Sequence, residues 1–191
     1  MTFSQSILRI ALATALILTI PLVAMQFTPE VVWTLSDFVF AGVLLFGTGL
    51  AFLLLASKGG NLAYRLAAGV AVAAGFLLIW ANMAVGLVGS EDNPVNLLYA
   101  AVLAVAIIGA VAARFRPVGM SNAMFAASLT YVLITIIALF LWKPAGAAAE
   151  PQVGLINVIG ANALFAALWA AAGLLFRRAA TAGPDSGRQL A

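Results

Sequence analysis

The chain has 191 residues, of which 65% are hydrophobic and only 8% charged, whereas a soluble domain is about 45–50% apolar and about 25% charged, so a water-soluble core is excluded. It has no Cys and no His, which excludes disulfides, thiolate nucleophiles, His- or Cys-ligated metals and haem, Ser-His dyads and His proton relays. The net charge of +3 comes from bases placed singly or in pairs, a pattern that does not point to nucleic acid.

A helix crossing a hydrocarbon core of about 30 Å needs about 20 apolar residues, and six such blocks fit the chain. After a short polar start, the first runs from about residue 10 to 25 and contains Pro21. Arg9 before an apolar run also resembles a signal peptide, but no small-x-small cleavage site follows, so a retained span is expected. Gln26 to Asp37 is a turn. In it Thr28-Pro29-Glu30 has an N-cap hydroxyl, Pro at N1 and an acid near the positive helix end, so a helix start is expected there.

The second span is expected over 38–57, ended by Lys58 and the Gly59-Gly60 loop. The third covers 66–88 and leads into the polar turn Gly89 to Asn93, which holds the chain's only adjacent acids, Glu91 and Asp92. Asn93-Pro94 repeats the cap-then-Pro start, opening a fourth span over 94–113. The basic segment RFRPVGMS follows, then a fifth span over 122–142 and a sixth over 153–176, ended by Arg177-Arg178. Residues 179–191 are small and polar and read as a flexible tail. The expected fold is an all-α, six-helix transmembrane bundle over 1–178.

Charge orients it. With the N-terminus in the cytoplasm, the cytoplasmic segments hold Arg9, Lys58, Arg65, Arg114, Arg116, Arg177, Arg178 and Arg188, and the outer ones only Lys143. This is the asymmetry of the positive-inside rule. It places both termini in the cytoplasm and the chain in a cell (inner) membrane.

Helices in lipid associate through close backbone approach. Small-residue rows suited to it are Gly69/Ala73 and Ala71/Gly75 on the third span, Ala106/Ala110 on the fourth, and Ala163/Ala167/Ala171 on the sixth. They read as seams within one bundle; a membrane-protein partner or a second copy would use the same chemistry.

Polar side chains in the spans are the remaining candidates. Counting about 20 residues outward from each basic end places Asp37, Asn82, Asn96, Asn157 and Asn162 in the outer leaflet. One reading makes Asp37 a cap and Asn82 and Asn162 interhelical hydrogen-bonders. The other makes these five, with Glu91 and Asp92, a shallow outward-facing pocket for a cation or small polar ligand. Calcium would need about six or more oxygen ligands, and the EF-hand spacing is absent. Lys58-Gly59-Gly60 lacks the Walker arrangement. No catalytic residues, cofactor or metal are expected.

The segments WTLSDF, AGVLLFGTGLA, AYRLAAGVAVA, WANMAVGLVGSEDNPVNLLY and RFRPVGM resemble a group of small bacterial multi-pass membrane proteins without an assigned activity. The resemblance spans roughly Ile20 to Arg178, and its most specific part is AVGLVGSEDNPVN. It implies class and location and supplies no site residues. The composition and the missing catalytic sets point to a non-enzymatic accessory or assembly component. A small transporter or channel around Asp37 and Asn82 is the alternative.

Overall fold

The computed structural model describes residues 3–89, 92–141 and 155–182, with backbone alone at 155–157. Among these residues the chain is all-helical. Six helices are long and apolar enough to cross a membrane, so this is a multi-pass membrane protein. The contacts divide the chain into two units, Met1–Leu54 and Leu55–Ala191.

The first unit is a helical hairpin of α1 (Phe3–Phe27) and α2, which runs Leu35–Ala56. The helices lie antiparallel: a Cβ on Gly42 would meet Leu18 of α1 at 3.4 Å, and one on Gly49 would meet Ile10 at 2.6 Å. The second helix begins later than Thr28-Pro29-Glu30 suggests. Thr28 Oγ1 does accept from the Glu30 N–H at 3.2 Å, but a stronger start lies downstream. There the Asp37 carboxylate accepts from both the N–H and the hydroxyl of Thr34, at 2.6 and 2.7 Å. The Thr34 hydroxyl accepts in turn from the Asp37 N–H at 3.4 Å. This reciprocal capping box satisfies two orphan donors at once, which a lone hydroxyl cap cannot do.

The second unit holds α3 (Leu62–Ala84), a 3-10 turn (Pro94–Tyr99) leading into α4 (Ala100–Ala112), α5 (Pro117–Ile136) and α6 (Leu155–Thr181). The fifth helix ends in a π-turn over Ile137–Leu141. It starts at Pro117, before the 122 expected from the apolar run, because Pro at N1 fits a helix start. The core is Ala-rich, with Ala67, Ala68, Ala71 and Ala74 of α3 facing Ala166, Trp169, Ala172 and Phe176 of α6.

Hydrogen bonds and close glycine contacts set the register. Ser121 and Ser128 of α5 donate to the Gly173 and Ala166 carbonyls of α6, each at 2.8 Å, so the two helices run antiparallel with matching steps. Gly109 of α4 sits against Ala123 of α5, and Gly119 of α5 against Ala113, with virtual Cβ distances of 2.6 and 2.5 Å. Gly75 of α3 faces Leu103 of α4 and Trp169 of α6. Ala106 and Ala110 are buried. On α6, however, the buried face is Asn162, Ala166, Trp169, Gly173 and Phe176, while Ala163 and Ala167 are exposed. The expected row on α6 therefore does not form the seam of this unit.

Candidate functional site

The polar centre of the second unit is built by the segment between α3 and α4. Asn93 caps the 3-10 turn, its Oδ1 accepting from the Val95 N–H at 3.1 Å, with Pro94 at the first position. Side chains three apart eclipse in a 3-10 turn, so Asn96 and Tyr99 point to the same side, and both are buried. Before the turn, Gly86 and Gly89 take φ of 72° and 74°. Such left-handed backbone suits glycine, and it bends Leu87 and Val88 back over the turn. Both of their N–H groups donate to Asn96 Oδ1, at 3.1 and 3.0 Å.

Asn162 holds the same loop from α6. Its Nδ2 donates to the Leu87 carbonyl at 3.0 Å and to Val158 one turn back at 2.8 Å. Its Oδ1 accepts from Tyr99 Oη at 2.8 Å. Thr135 Oγ1 of α5 lies 3.0 Å from the same phenol and donates to the Tyr131 carbonyl at 3.0 Å. Asn82 of α3 donates to the Asn96 carbonyl at 2.9 Å. The Tyr99 ring packs at 4.9 Å on Tyr131, which stacks on Phe165 of α6 at 5.8 Å. Loop, turn and three helices thus share one network.

Of the sequence candidates, the structure brings together Asn82, Asn96 and Asn162. Asp92 is exposed beside the turn. Asp37 belongs to the first unit, where its carboxylate closes the capping box. Glu91 and the side chain of Asn157 lie outside the described residues. Tyr99 and Thr135 complete the network.

A second polar tie, at the opposite end of the unit, escaped the sequence reading. Asn61 Oδ1 accepts from the Tyr64 N–H at 2.9 Å and so caps α3. Its Nδ2 donates to the Ala179 and Ala182 carbonyls, at 3.0 and 3.1 Å, closing the end of α6. Tyr64 Oη donates to the Phe115 carbonyl at 2.8 Å. The signal was available: an Asn directly before an apolar helical run.

Chemically the centre is neutral. Amides and hydroxyls offer no general acid or base near neutral pH. Asn96 and Asn162 already accept hydrogen bonds at Oδ1, while Asn82 Oδ1 is buried without a partner among the described residues. Among those residues no three His, Cys, Asp or Glu side chains come together as a metal site. No protein-family model, curated protein or solved structure matches this chain.

Proposed function

We propose that this protein is a non-enzymatic accessory or assembly component of a cell (inner) membrane, with both termini cytoplasmic. One observation carries the reading: Asn82, Asn96, Tyr99, Thr135 and Asn162 bind each other and the loop backbone. Asn96 Oδ1 accepts from the Leu87 and Val88 N–H groups, and Asn162 Nδ2 donates to the Leu87 carbonyl. A rigid stitched face suits a protein that presents a surface to a membrane partner or a second copy. The eight-to-one distribution of basic residues supports the orientation.

A small transporter or channel is the second reading, favoured by Asn82, whose buried Oδ1 has no partner among the described residues. The two are separated by native mass spectrometry after gentle release from the cell's own membrane. A protein subunit released at fixed stoichiometry supports the accessory role. A small-molecule mass that disappears in Asn82→Ala, with no subunit present, overturns it in favour of the transporter.

A further inference from the structure

We propose that the basic end of the second unit is a binding site for the headgroup phosphate of an anionic phospholipid. Six cations meet there: Lys58 and Arg65 around the start of α3, Arg114 and Arg116 in the α4–α5 turn, and Arg177 and Arg178 near the end of α6. All six are exposed. Specific contacts gather them. The Asn61 side chain ties the start of α3 to the carbonyls of Ala179 and Ala182. The Tyr64 hydroxyl ties α3 to the carbonyl of Phe115, and Lys58 Nζ lies 5.9 Å from the centre of the Phe115 ring.

Among the described residues the charge at this end is uncompensated. Asp92 is the one acid among this unit's described residues, and it sits at the other end, beside the 3-10 turn. Residues 183–191 add one acid and one base, Asp185 and Arg188, and leave the balance unchanged.

The backbone supplies a second observation. Arg114 and Phe115 take φ of 49° and 59° in succession. Left-handed backbone is costly for residues with a Cβ, and such strain gathers where function needs it. Glycine would relieve the strain at either position. The chain instead has an arginine at one and the ring beneath Lys58 at the other, with the Phe115 carbonyl bonded by Tyr64 Oη.

A lipid fits better than a soluble anion. Cations at the ends of membrane spans lie at headgroup depth, and basic pockets between spans bind anionic headgroups. Within about one turn of the cations, Leu62, Leu66, Val111 and Val118 are 61, 53, 60 and 62% exposed. They offer an apolar flank along which acyl chains would lie. Arginine forks meet a phosphate through two parallel N–H donors, so Arg114 and Arg116 are assigned as its principal ligands. The site rests on membrane insertion and not on the accessory role.

The test uses the full-length protein in detergent, with phosphatidylglycerol or phosphatidylcholine added, read by native mass spectrometry. Phosphatidylglycerol adducts are expected to outlast phosphatidylcholine adducts. Arg114→Gln with Arg116→Gln is expected to weaken phosphatidylglycerol retention about tenfold or more, since each basic residue near an anionic surface contributes comparably. Arg177→Gln with Arg178→Gln, on a different helix, should weaken it as well, so a folding defect in one variant cannot decide the matter. Equal retention of the two lipids would overturn the proposal. So would unchanged retention in both variants, or displacement of phosphatidylglycerol by inorganic phosphate at matching concentration, which would make the site one for a soluble anion.

Discussion

Tyr99 donates its phenolic proton to Asn162 across 2.8 Å, joining the 3-10 turn before α4 to the sixth helix. In a membrane one interhelical hydrogen bond averages about 0.6 kcal/mol and reaches about 1.7. Tyr99→Phe is therefore expected to lower stability by about 1 kcal/mol. Asn162→Ala removes that acceptor and also strands the buried Leu87 carbonyl, so about 2–3 kcal/mol is expected. Unfolding by steric trapping in a bilayer would measure both. A smaller loss for Asn162→Ala than for Tyr99→Phe would show that the amide is not the hub.

At Leu87 and Val88, Asn96 grips the loop N–H groups through its carbonyl oxygen. Aspartate offers the same acceptor and leucine offers none. Amide exchange at Leu87 and Val88 should stay slow in Asn96→Asp and accelerate in Asn96→Leu. Fast exchange in both would mean that the loop is held by its own glycine-flanked geometry.

The glycines sort by what surrounds them. A Cβ on Gly119 would lie 3.1 Å from the backbone Cα of Ala113, while one on Gly47 meets nothing within 4 Å. Gly119→Ala should push α4 from α5 and cost about 1–3 kcal/mol. Gly47→Ala should be neutral or stabilise by up to about 1 kcal/mol, through helix propensity. Thermal unfolding in detergent distinguishes the two, and equal shifts would contradict the α4–α5 seam.

Asp37 is expected to behave as a cap. Thr34→Ala and Asp37→Ala should each lower the melting temperature, with little further loss in the double variant, because one reciprocal box is broken either way. Fully additive losses, read from the same melts, would show that the two residues act apart.

Much of this architecture is readable from residues alone. Apolar blocks and the cap-then-Pro pair Asn93-Pro94 mark the spans, because lipid demands long uninterrupted runs. Asn82 and Asn162 stand out because amides are rare at that depth. What the sequence hides is direction around a helix. In a span as Ala-rich as α6, the row Ala163/Ala167/Ala171 looks as suited to packing as the face containing Ala166 and Gly173. Only the partners, Ser121, Ser128 and Phe125, choose between them. Thr28-Pro29 misleads for a related reason: local capping signals compete, and the Thr34–Asp37 pair wins by satisfying two donors.

Tyr131 shows the converse. Its hydroxyl is buried with no partner among the described residues, while its ring packs against those of Tyr99 and Phe165. Tyr131→Phe keeps the ring contacts and removes the orphan, so stability should hold or rise by about 1 kcal/mol. A clear loss in the melting temperature would reveal a partner for that hydroxyl.

The grip on Leu87 and Val88 engages only their peptide groups. A fastening that reads peptide groups is indifferent to the side chain those positions carry, so mutational tolerance in this segment should be uneven. In a saturation library selected for folded protein, Val88, half-buried against the core, should accept other apolar side chains of similar size. Gly86, Gly89, Asn96 and Asn162 should accept almost none. A position open to several side chains would then lie one residue from a position open to almost none.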